Sequence, residues 1–252
     1  MLKFNRFWWR RVFLALLFLG LFAGYFFSHP EHSQPLPAPS FFSGSPNLVS
    51  SEREASLPVS SKALDVLNSL AVKAPFRAEK YYRKLFYKDW QILASGCNTR
   101  EAILARDLKN LRFVARCKVA SGELEDPYTA KLIKFTRGQK SSALVQIDHV
   151  VALGNAWSTG AAFLSPAQRL ALSQDPLNLL AVDGKANQAK SDGDAATWLP
   201  ENRAFRCAYV ARQISVKYKY HLWVTPAEEG AMKKVLSSCP DQSTIGAISL
   251  RP

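Results

Sequence analysis

The sequence predicts an α+β protein, a mainly helical domain with a small β element near its middle. Three observations carry this. Apolar residues recur at helical spacing before and after residue 150, two Ser/Thr-Pro-Ala-Gln/Glu signatures open helices in the C-terminal half, and a β-branched run lies ahead of them at Val145 to Val151. Hydrophobic residues make up 48% of the 252, enough for a real core, which excludes wholesale disorder.

Residues 1–28 read as an export segment. Lys3, Arg6, Arg10 and Arg11 precede an unbroken apolar run, Val12 to Phe27. A spanning helix needs about 17–25 apolar residues and a signal-peptide core about 7–15, so the run falls between the two. No Ala-x-Ala cleavage site follows it, which favours an uncleaved signal anchor over a cleaved peptide and gives the chain a membrane contact through this segment. The basic flank orients the remainder outside the cytoplasm, in the periplasm or beyond, or secreted if the segment is removed. Residues 29–60 are rich in Pro and Ser and form a linker; His29 and His32 lie in it as solvated side chains.

The folded domain is expected over 61–240. Leu64, Leu67 and Leu70 form a helical stripe ending near Pro75. Thr99 to Leu108 reads as a helix with Thr99 as its cap and Ile103 and Leu104 inward. Gly122 to Phe135, with its Gly and Asp-Pro, suggests short strands or a turn. Ser165-Pro166-Ala167-Gln168 and Thr225-Pro226-Ala227-Glu228 are capping boxes with Pro at the first helical position. Phe205 to Tyr218 looks helical between them, and residues 241–252 read as a loose tail.

The formal net charge is +13, from 33 basic and 20 acidic residues. Five of the former and three of the latter lie in residues 1–60, so the remainder keeps 28 against 17. A body this basic suits a polyanion, because neutralising phosphates releases condensed counterions. The four cysteines, Cys97, Cys117, Cys207 and Cys239, have no C-x-x-C spacing, which argues against a cysteine zinc site. In an exported chain an even count reads as two disulfides, with free thiols as the alternative. Of three connectivities, the sequence-local pairing Cys97–Cys117 and Cys207–Cys239 is favoured.

In Val145 to Val151, Asp148 and His149 stand side by side. On a strand, neighbours face opposite sides, so a carboxylate and an imidazole placed this way can serve a metal and a water. Asp175-Pro176-Leu177-Asn178 is a turn into the apolar run Leu179 to Val182. Asp183-Gly184 is a second turn, followed by a helical stretch from Lys185 to Asp192. Phosphodiester hydrolysis needs a base for water, a cation on the phosphate and stabilisation of the leaving oxygen. A neutral His149 suits the first. Asp148 and the Asn187 carbonyl are hard oxygen ligands for a divalent ion, Mg2+ first and Mn2+ as another option. Lys190, one helical turn after Asn187, shares its face and is placed to meet a phosphate. Asp192 and Asp194 could add a ligand but read better as helix caps; Arg100 and Arg106 could touch nucleic acid but read better as partners of Glu101 and Asp107.

The run D-H-V-V, then N-L-L-A-V, then N-x-x-K-S-D resembles the HNH, or ββα-metal, nuclease motif. The likeness extends to the HNH domain at the C-terminus of GmrSD-type restriction enzymes and its exported stand-alone relatives. It rests on Tyr82-Arg83 with Phe86 and Trp90, Gly96-Cys97-Asn98-Thr99-Arg100, Arg106-Asp107-Leu108, Asp126-Pro127-Tyr128-Thr129, Ala156-Trp157, Trp198-Leu199-Pro200 and Cys207 with Tyr209, and spans about Tyr81 to Cys239. The resemblance implies a ββα-metal motif embedded in the helical domain and an endonuclease acting on DNA or RNA. It implies His149 as general base, Asp148 and Asn187 as metal ligands, Asn178 as brace of the histidine loop, and Lys190 as an auxiliary phosphate contact. Ala152 and Ala130 stand where the family usually has Pro and Gly. No sequence feature asks for an obligate protein partner. The competing readings are a catalytically silent, basic nucleic-acid-binding or envelope module on the same fold, and a zinc hydrolase of another class. The second lacks a histidine at ligand spacing from His149.

Overall fold

The computed structural model describes residues 61–138 and 143–250. The expected export segment, with its membrane contact, and the linker with His29 and His32 lie outside them. Among the described residues no helix is long and apolar enough to cross a membrane.

The first helix, α1 (Ala63–Ser69), buries Ala63, Val66 and Leu67 and stops at Leu70, well before Pro75. The chain then runs to α2 (Thr99–Asp107) through a 3-10 turn at Arg83–Leu85. Asn98, not Thr99, caps α2: its side chain accepts from the Glu101 amide, while Thr99 is buried and its hydroxyl donates to the Gln91 carbonyl. Adjacent Asn and Thr are both competent caps, and position relative to the buried face decides between them.

Two antiparallel sheets follow, more β structure than the sequence suggested. In the first, β1 (Lys109–Ala115), β2 (Lys118–Glu125) and β3 (Leu132–Thr136) lie in chain order. The turn between β2 and β3 is Asp126-Pro127-Tyr128-Thr129. Asp126 accepts from the Thr129 amide at 2.8 Å and, through its other oxygen, from the Asp183 amide at 2.8 Å, tying the two sheets together. Ala130 takes φ +60° there, the left-handed conformation that explains a glycine preference at this place.

The second sheet pairs β4 (Val145–His149) with β5 (Leu179–Asp183), Val145 opposite Asp183 and His149 opposite Leu179. Between them come α3 (Leu153–Ser158) and α4 (Pro166–Gln174), the latter opened by the complete Ser165/Gln168 capping box. Asp183 directly caps α5 (Gly184–Lys190), accepting from the Ala186 amide, so no free turn intervenes. Gly184 is required because a Cβ would stand 2.1 Å from the Ala143 carbonyl oxygen. The last helices are α6 (Arg206–Lys219) and α7 (Pro226–Leu236), where Thr225 and Glu228 complete the second box.

The β4–β5 pair is apolar on both faces. Val145, Ile147, Leu179 and Ala181 pack on α2 and β2, whereas Leu180 and Val182 pack with α1, α6 and α7. The disulfides are Cys97–Cys117 and Cys207–Cys239, the sequence-local pairing, closing separations of 20 and 32 residues. Loops of that size stabilise by about 3–4 kcal/mol each in a chain-entropy view. The expected loose tail is instead attached as far as residue 250. Thr244 donates to the Ser61 carbonyl, the Ile245 amide donates to Ser215, and Ile245 and Ile248 pack against the core.

Candidate active site

Strand β4 ends in an open cleft of about 410 Å³ lined by Gln146, Asp148, His149, Asn187, Arg83 and Arg100, with Tyr81 and Asp192 at its margin. Asp148 and His149 are 5% and 4% exposed, so the cleft reaches them only through a narrow opening.

Strand alternation sends Asp148 and Gln146 towards α5 and His149 away from it. Helix α5 lies across the first face: Asn187 Nδ2 donates to Gln146 Oε1 at 2.8 Å, and Lys190 Nζ donates to Asp148 Oδ1 at 3.0 Å. Lys190 also donates to the His149 carbonyl at 2.8 Å. Its side chain is fully buried, so the expected phosphate contact is corrected: the ammonium is spent on Asp148 inside the protein. Tyr128, another fully buried residue, donates to Asp148 Oδ2 at 2.5 Å. Burial pushes the Asp148 carboxyl up, and Lys190 and Tyr128 pull it back.

His149 Nε2 lies 2.9 Å from the Ser173 carbonyl oxygen. A carbonyl only accepts, so Nε2 carries the proton and Nδ1 keeps the lone pair. The ring is stacked at 7° on Trp90, centroids 6.1 Å apart, and tilted against Tyr87. Burial lowers its pKa to about 3, so the imidazole is neutral at any ordinary pH. Stability should respond. The unfolded chain protonates this histidine at about pH 6.5, the folded one only near 3. The contribution is therefore complete above the first value and is lost as pH falls towards the second. Melting of the wild type is expected to fall more steeply between pH 7 and pH 4 than that of His149→Gln; parallel curves would contradict the buried neutral ring.

Asn178 is wholly buried and does not line the cleft. Its Oδ1 accepts from the Val151 amide at 2.8 Å and its Nδ2 donates to the Val151 carbonyl at 3.3 Å. Through these bonds it ties the chain leaving His149 to the start of β5. The segment carrying it is held in turn by Arg106 and Arg212, which both donate to the Pro176 and Leu179 carbonyls. Arg106 donates to both oxygens of Asp107, of which Oδ2 also accepts from the Ala181 amide. Asp194 caps the turn at Ala196 and Thr197.

Sequence reasoning missed the cleft cations as a pair. Arg83 comes from the 3-10 turn, its guanidinium over the Tyr87 ring at 5.2 Å. Arg100 comes from the first turn of α2, 3.8 Å from Glu101. Glu101, however, is held by Arg137 at 2.6 Å and accepts from the Val119 amide, which leaves Arg100 as surplus positive charge. In the sequence both positions fall within the family resemblance, as a Tyr-Arg dipeptide and an N-terminal helical arginine, but nothing there brings them into one cleft.

Among the described residues, no group of three or more His, Cys, Asp and Glu could hold a metal ion. Two residues lining the cleft, Asp148 and Asn187, carry oxygen donors of the kind a hard divalent ion takes. Asn187 turns its amide nitrogen to Gln146, which leaves Oδ1 for a cation, and each Asp148 oxygen has a second lone pair beyond Lys190 or Tyr128.

No solved structure matches the chain. It is 35% identical over 185 residues to a protein of Arthroderma benhamiae described as an uncharacterized secreted protein, covering 73% of this chain and 87% of that one. The family model for the C-terminal domain of GmrSD restriction endonucleases matches residues 98–235, from the cap of α2 to the end of α7. By that match, which takes in Asp148, His149, Asn178, Asn187 and Lys190, the chain belongs to the GmrSD C-terminal-domain family, an HNH-type restriction endonuclease family.

Proposed function

We propose that this protein is a metal-dependent endonuclease that hydrolyses phosphodiester bonds of nucleic acid, DNA first, outside the cytoplasm. The observation that carries this is a neutral imidazole, its Nε2 proton held by Ser173, that lines the same cleft as Asp148, Asn187, Arg83 and Arg100. The location is supported by two disulfides, by the secreted fungal relative and by the basic-then-apolar N-terminus.

Asp148 and Asn187 would hold the divalent ion, which supplies positive charge at the scissile phosphate. His149 Nδ1 takes a proton from water; the resulting hydroxide oxygen bonds to phosphorus as the P–O bond to the leaving oxygen breaks, and that oxygen is protonated from solvent. The Ser173 carbonyl fixes the tautomer, and Trp90 and Tyr87 fix the ring plane, so the lone pair points one way before substrate arrives. Arg83 and Arg100 supply the phosphate contact that Lys190 cannot.

The test is incubation of the purified, oxidised protein with circular DNA, duplex and single-stranded, in Mg2+ or Mn2+ and in EDTA. Cutting that requires the ion and is lost in Asn187→Ala is expected. Cutting that persists in EDTA would overturn the metal role, and no cutting under any ion would leave a binding module.

A further inference from the structure

We infer that the segment Lys80–Lys88 is a single-strand-binding rim of the cleft, in which Tyr82 stacks a nucleobase while Lys80, Lys84 and Arg83 take flanking phosphates. The substrate is then single-stranded or locally unpaired nucleic acid. This rests on the nuclease reading for its place beside the reacting phosphate.

The segment lies ahead of residues 98–235, which the family model matches. It is anchored from beneath. Phe86 is 3% exposed and packs edge-on to Trp157, Trp157 Nε1 donates to the Glu79 carbonyl, and Arg169 donates to the Leu85 carbonyl. Anchored this way, the turn presents a fixed outer face. On that face Tyr82 is 48% exposed, an aromatic ring with no core to fill. Lys80 and Lys84 sit 5.5 and 5.7 Å from its centroid, and Arg83, next in sequence, lines the cleft that holds His149.

An exposed ring flanked by ammonium groups suits alternating base and phosphate better than it suits a duplex. Exposed cation–π contacts are weak, so an incoming base can displace an ammonium towards its own phosphate. Bases in a duplex are stacked on each other and offer no free face to Tyr82, whereas any unpaired base does, without regard to its identity. A rim next to Arg83 therefore selects strand state, not sequence, immediately before the cut.

Binding is read in EDTA, where turnover plays no part, using the full-length oxidised chain and a fluorescein-labelled oligothymidylate or a duplex of equal length. The single strand is expected to bind tighter, Tyr82→Ala to weaken it about tenfold, and Tyr82→Phe to retain it. Lys84→Gln should lower the slope of log affinity against log salt by about 0.7. Equal affinity for duplex, or a Tyr82→Ala variant that binds the oligothymidylate like wild type, would overturn the inference. A chain that binds single strands through Tyr82 yet cuts nothing supports the rim and sinks only the nuclease reading. One that cuts but prefers neither strand state sinks only the rim.

Discussion

Replacing His149 with alanine is expected to lower nuclease turnover by about 10²–10⁴-fold, the range typical of a lost general base. Affinity for DNA, measured in EDTA, should stay at the wild-type level, because the imidazole is 4% exposed and its proton is committed to Ser173. The variant also removes a ring stacked on Trp90, so some stability is lost with it. Added imidazole separates the two effects. A small base diffusing into the vacated space should restore part of the activity if only proton abstraction was lost, and none if the cleft has collapsed. A variant that retains turnover within tenfold of wild type would remove His149 from the chemistry and leave water activation to the metal site alone.

Much of the fold around this site could be read from the chain, and what could not has a common cause. The two capping boxes, the pairing of neighbouring cysteines and the β-branched strand at Val145 depend on residues close in sequence, and each stands where expected. Strand β1 went unseen because it is exposed along nearly its whole length, so its short Leu111, Phe113, Ala115 alternation marks no buried face. The helical rule rightly put Asn187 and Lys190 on one face of α5. It could not say that this face lies against β4, so a lysine expected to meet a phosphate lies sealed against Asp148. Tyr128 is 20 positions from the carboxylate it meets, and Arg83 is 66 positions from His149. Such meetings are set by how the elements pack, which no local pattern encodes. The tail beyond Pro240 is polar enough to read as free, yet its backbone finds partners at Ser61 and Ser215.

Lys190 is the other residue whose replacement should have a large effect. Its ammonium and the Asp148 carboxylate are both out of water, 0% and 6% exposed as side chains, and each is compensated chiefly by the other. Removing one member of such a pair typically costs about 3–5 kcal/mol, because the remaining charge is left buried. Lys190→Met should lower the denaturation midpoint accordingly, measured in EDTA so that no metal takes over the lysine's role. Burial already pushes the Asp148 carboxyl up, and loss of its first counter-charge pushes it further, towards a neutral acid that ligates a cation poorly. Weaker metal affinity and lower activity follow from the same event. Adding Asp148→Asn to Lys190→Met removes the unpaired charge and should recover much of the stability while leaving the protein inactive, a strongly non-additive cycle. The buried Lys217–Glu228 pair, 3.1 Å apart and absent from the cleft lining, is the internal control. Breaking it with Lys217→Met should cost stability in the same way yet leave metal affinity as it was. If Lys190→Met instead binds metal and cuts normally, the lysine only packs, and Asp148 takes its charge balance from the bound ion.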